Sequence, residues 1–87
     1  DRLARRDEQL RAWRALLHPE DCAAQAAAQM LAEATRYERR LAQADQTLAQ
    51  MPDGYRGTPR QYLFTIARIP AAMPGQRQLQ TILSVKI

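Results

Sequence analysis

Nine apolar or small residues, Ala23, Ala27, Met30, Ala34, Tyr37, Leu41, Ala44, Leu48 and Met51, recur at strictly alternating steps of four and three. That is the a/d spacing of a heptad, and it aligns all nine along one seam of a helix. No glycine or proline falls between Glu20 and Met51. The spacing therefore predicts one helix over residues 19–51, about 48 Å long at about 1.5 Å per residue. A seam of that length requires a partner along its whole face, as in a coiled coil.

The preceding residues, 1–17, carry Leu3, Leu10, Trp13 and Leu17 at helical spacing, with Arg6 filling the remaining place in the stripe. Arg6 can lay its stem on apolar surface and keep its head in water, and Trp13 is the expected core anchor. His18-Pro19 stops this first helix, because the residue before a proline disfavours the α region. Pro19 suits the first position of the next helix, and Glu20 and Asp21 suit its first turn. A connection this short predicts an antiparallel helical hairpin. The first helix spans about 25 Å at the same rise, enough to cover only the alanine-rich half of the second. The distal half, with Tyr37, Leu41 and Leu48, needs another partner.

Of the 87 residues, 16 are alanine. Alanine buries little area, so at about 25 cal/mol per Å² the core is thin for a chain this short. Self-association or a protein partner is the expectation. The opening on Asp1 and the apolar ending suggest a piece of a longer chain, and the arginine, alanine and glutamine bias suggests a bacterial or phage source.

After Met51 the character changes. Residues 52–59 hold Pro52, Gly54, Gly57 and Pro59 and read as a loop. They lack the ending of a phosphate-binding P-loop and do not join a strand to a helix. In residues 60–69, Tyr62, Phe64 and Ile66 alternate with Leu63, Thr65 and Ala67, rich in aromatic and β-branched types. Leu79, Thr81, Leu83, Val85 and Ile87 alternate again after a turn marked by Pro70, Pro74 and Gly75. The expected fold is α+β in one small domain: short helix, long helix, loop, and a β-hairpin over 60–87. Its last strand offers an open edge for strand addition.

The net charge is +4, and segment by segment it is +1 over 1–20, −1 over 21–51 and +4 over 52–87. Arg56, Arg60, Arg68, Arg77 and Lys86, with Tyr55, are thus the candidate nucleic-acid contacts, cations for phosphates beside aromatics for bases. Tyr37, Leu41, Leu48 and Met51 on the distal seam, with the like-charged pair Arg36 and Arg40, are the candidate protein-partner surface. Enzyme chemistry finds little: one histidine (His18), one cysteine (Cys22) and one serine (Ser84) preclude the usual histidine–cysteine metal sites and a nucleophile elbow. Neither catalytic residues nor a cofactor or metal is expected. Cys22 has no partner for an internal disulfide and reads as a small buried residue beside the seam. No apolar run is long enough to span a membrane, and the first ten residues lack the apolar stretch of a signal peptide, so the expected location is cytoplasmic. The expected role is a non-enzymatic interaction or assembly module, associating through the distal seam and the strand edge. The alternative is a small basic nucleic-acid-binding protein.

Overall fold

The computed structural model describes residues 1–84, and among them every regular element is helical. Helix α1 runs Arg2–Leu17, α2 Ala23–Arg40, α3 Ala42–Asp45, α4 Pro59–Ala67 and α5 Gln76–Ser84, with a 3-10 turn at Asp53–Tyr55. The α+β expectation is therefore overturned: no strand occurs among the described residues, and helices α4 and α5 stand where the β-hairpin was expected. Val85, Lys86 and Ile87, which the expected last strand took in, lie outside the described residues.

The physical reason is visible in both segments. In α4 the residues on both strand faces, Tyr62, Leu63, Phe64 and Ile66, are all buried; 62, 63 and 66 fall on one helical face in the core, and Phe64 packs against Tyr55 and Arg68. Thr58 takes the cap position in extended backbone and Pro59 the first helical turn, a start signal inside what reads as loop. In α5 the buried set is Leu79, Ile82 and Leu83, an i, i+3, i+4 stripe. Alternation of Leu79, Thr81 and Leu83 matches a strand only if Ile82 is disregarded. Thr81 and Ser84 donate to the carbonyls of Arg77 and Gln80, four residues back, so their hydroxyls stay within the helix.

The long second helix is also shorter at both ends. At its start, His18 Nδ1 lies 3.0 Å from Asp21 Oδ2, and Arg14 donates to the Asp21 carbonyl at 2.9 Å. These contacts commit residues 18–21 to a turn, and extended Cys22 precedes the first helical residue, Ala23. Cys22 itself is exposed, not buried beside the seam. At the other end, Leu41 departs from helical backbone at φ −122° and ψ −27°, and the chain bends into the single turn of α3. Asp45 and Thr47, weak helix formers that compete for backbone partners, hold that bend. The Tyr37 hydroxyl reaches Asp45, and Thr47 Oγ1 donates to the Ala44 carbonyl. The heptad seam thus runs as helix only as far as Tyr37, and no coiled coil extends over 19–51.

Packing follows a different pairing from the expected hairpin of α1 on α2. The main partner of α2 is α5, whereas α1 packs on α4 and α5. The alanines of α2, Ala26, Ala27 and Ala34, thus allow α5 and α4 to approach closely and bring Leu79, Leu83 and Leu63 into one core with Leu10, Trp13 and Met30. Trp13 is fully buried and stacks parallel to Tyr62, with ring centroids 6.2 Å apart, which fastens α1 to α4. The radius of gyration is 12.3 Å, close to the roughly 12 Å of a compact chain this long. No helix among the described residues is long and apolar enough to cross a membrane.

Candidate functional site

The twelve arginines divide by what their guanidinium groups touch. Among the described residues, four donate to backbone carbonyls. Arg6, only 5% exposed, reaches the carbonyl of Ala72 at 2.9 Å, and Arg11 and Arg14 reach those of Ile82 and Leu83 at 3.2 and 3.3 Å. Arg68 donates to the carbonyls of Asp45 and Leu48. These side chains satisfy carbonyls where helices end or the chain turns, and they tie the C-terminal segment to α1 and the α3 bend to α4. Their charge serves the fold and is not free for a ligand.

A second group faces a cleft between α2 and α4. Arg36, Arg40 and Glu33 from α2 and Arg60 from α4 line its rim, with Tyr37, Leu41 and Leu63 among its lining. The cleft encloses about 140 Å³. Helical spacing explains the α2 contribution: Glu33, Arg36, Tyr37 and Arg40 are three or four residues apart and share one face. Pro59 sets the start of α4, and so sets Arg60 in its first turn, facing α2. Arg36 pairs with Glu33. Among the described residues, neither Arg40 nor Arg60 has a carboxylate within ion-pair distance; Arg60 lies 5.7 Å over the Tyr55 ring.

Beneath the cleft sits a buried carboxylate. Asp45 is 4% exposed and accepts from the Tyr37 hydroxyl at 2.7 Å and from the Tyr55 hydroxyl at 3.1 Å to each oxygen. Burial, then the hydrogen bond to Asp45, pushes the Tyr37 phenol well above its ordinary value, and the same causes push Tyr55 up. Both hydroxyls therefore stay protonated as donors. Edge-to-face contact of Tyr55 with Phe64, centroids 6.3 Å apart, and Arg68 lying 3.7 Å over the Phe64 ring lock the assembly to α4.

The two sets of residues singled out from the sequence are thereby regrouped. Arg36, Tyr37, Arg40 and Leu41 from the partner set meet Arg60 from the nucleic-acid set around one cleft. Leu48, 37% exposed, and half-buried Met51 lie in the irregular chain after α3 and do not join the lining. Tyr55 supports the site through Asp45 and Arg60, and its hydroxyl is engaged. Arg56 is exposed beside Asp53 at 3.9 Å, and Arg77 is exposed at the start of α5. Lys86 lies outside the described residues. The neighbouring rings of Tyr62 and Phe64 are core. Glu33, Asp45 and Leu63 were not singled out. Glu33 is signalled by its i, i+3 relation to Arg36, whereas Asp45 meets Tyr55 only through the tertiary fold and has no local signature.

Tyr37 and Leu63 also line a second, apolar groove of about 270 Å³, with Ala34, Ala42, Ile66, Ile69 and Met73, and with Glu38 and Gln46 among its lining. No group of three or more His, Cys, Asp or Glu side chains gathers to hold a metal among the described residues. Compared with known proteins, the chain matches no family model, no curated protein and no solved structure.

Proposed function

We propose that the chain is a non-enzymatic protein-interaction module that holds an acidic segment of a partner protein in the cleft between α2 and α4. The observation that carries this reading is the joining of Arg36, Arg40 and Arg60 with half-buried, apolar Leu41 around one cleft. Apolar contacts ringed by guanidinium groups are the anatomy of a protein interface, where arginine is enriched and planar forks engage carboxylates bidentately. A surface for single-stranded nucleic acid needs free exposed rings for stacking; here Tyr62 and Phe64 are buried, and half-buried Tyr55 has its hydroxyl on Asp45 and its ring under Arg60. The exposed single thiol of Cys22 suits a reducing compartment such as the cytoplasm.

The test is binding of a fluorescent glutamate- and leucine-rich peptide, followed by anisotropy at low salt, beside a mixed-sequence oligonucleotide. The double variant Arg40→Ala, Arg60→Ala is expected to weaken peptide binding about tenfold or more, ~1.4 kcal/mol. Binding of the oligonucleotide alone, lost in the same variant, would replace the protein-partner reading with a nucleic-acid one.

A further inference from the structure

We infer that the anionic group seated in this cleft is a phosphomonoester, a phosphorylated serine or threonine of the partner segment, rather than a carboxylate. The inference rests on the acidic-segment reading above and names its ligand chemistry. Three guanidinium-bearing side chains and one carboxylate line the cleft, and Glu33 already occupies Arg36. That pairing leaves Arg40 and Arg60, two positive charges on two different helices. A carboxylate carries one charge and two oxygens, which a single arginine fork saturates. One carboxylate alone therefore leaves the second guanidinium to another acidic residue of the segment. A phosphomonoester carries a charge of about −1.5 to −2 and three terminal oxygens, so it can be shared between a fork from α2 and a fork from α4. The enclosed volume of about 140 Å³ leaves space between the helices for such a group. The Tyr37 hydroxyl faces the other way, onto Asp45, so the apolar contact that remains for the partner segment is half-buried Leu41. Glu33 acts as a built-in competitor: its carboxylate holds Arg36 away from the ligand.

The experiment compares three labelled peptides identical except at one central position, which is serine, glutamate or phosphoserine, flanked by glutamate and leucine. Each is titrated against the wild-type chain, the Arg40→Ala, Arg60→Ala double variant and Glu33→Gln. The phosphoserine peptide is expected to bind about tenfold or more tightly than the glutamate peptide. The advantage is lost in the double variant. It grows in Glu33→Gln, where Arg36 is released, and a gain of affinity cannot come from misfolding. Equal affinities for phosphoserine and glutamate, with both lost in the double variant, overturn the phosphomonoester inference and leave the acidic-segment reading standing. If none of the three peptides binds wild type or Glu33→Gln, both readings fall together.

Discussion

The Tyr37 hydroxyl donates to the Asp45 carboxylate at 2.7 Å across the break that separates α2 from α3. With Tyr55 donating from the other side, it gives a buried charge two neutral donors in place of water. Tyr37→Phe removes one donor and is expected to destabilise the chain by about 1–2 kcal/mol. Asp45→Ala removes the acceptor of both tyrosines and is expected to cost about 2–3 kcal/mol. The two are not independent. A double-mutant cycle on urea denaturation should give a coupling energy of about 1 kcal/mol, and simple additivity would mean the bond contributes nothing.

The same contact makes stability depend on alkaline pH. Both phenols have folded-state pKa values raised above the ordinary 10.0, first by burial and then by the hydrogen bond to Asp45. A raised value means that the folded state keeps its protons after the unfolded state has begun to release them. The contribution is fully present below about pH 10 and is lost as pH rises from there through the folded values. The midpoint urea concentration should be flat from pH 7 to about pH 9 and fall above about pH 10. Tyr37→Phe should start from lower stability and show a shallower fall. An unchanged slope in Tyr37→Phe would assign the fall to other groups.

Where local pattern decided an element, the sequence disclosed it. Residues 1–17 were readable as a helix because the apolar stripe and the stop at His18-Pro19 agree. The α2 seam was readable as far as Tyr37 for the same reason. Its continuation was not, because Asp45 and the Tyr37–Asp45 bond bend a chain that has no glycine or proline to announce it. The C-terminal helices were hidden by ambiguity of period: a short stretch apolar on both faces, such as Tyr62 to Ile66, suits a covered strand and a buried helix equally. Only Thr58-Pro59 favoured the helix. Arg36 and Arg40 were readable as one cluster, since helical spacing alone puts them together. Their meeting with Arg60 was not, because it depends on α4 packing against α2 across a loop.

Arg68 and Arg60 are eight residues apart, both exposed, and indistinguishable by composition, yet the fold gives them opposite duties. Arg68 holds the carbonyls of Asp45 and Leu48 and covers Phe64, so Arg68→Ala should destabilise by about 1–3 kcal/mol through orphaned carbonyls and a lost cation–π contact. Peptide affinity of the folded fraction should not change. Arg60→Ala should do the reverse, with stability within about 1 kcal/mol of wild type, the size of its exposed cation–π contact with Tyr55, and weakened peptide binding. Thermal melts and anisotropy titrations on both variants check the separation, and loss of binding without loss of stability in Arg68→Ala would place Arg68 in the ligand site.

The arginines of α1 carry the most consequential of the carbonyl contacts, because α5 is the main partner of α2 and lies against α1 as well. Arg11 and Arg14 reach the carbonyls of Ile82 and Leu83, and Arg14 also reaches Asp21 in the turn that leads into α2. One guanidinium therefore spans three parts of the chain. Each contact is a charge-assisted hydrogen bond to a neutral acceptor, in a half-buried setting where water replaces the donor poorly. Arg14→Ala is expected to cost about 2–3 kcal/mol and Arg11→Ala about 1 kcal/mol, against less than about 0.5 kcal/mol for the exposed Arg39→Ala. Trp13, the sole tryptophan and fully buried, reports the transition through its fluorescence. Arg14→Lys restores charge but not the planar fork that spans Leu83 and Asp21, so it should recover less than half of the loss. Full recovery by lysine would show that α1 holds α5 by charge alone, without the two-carbonyl geometry.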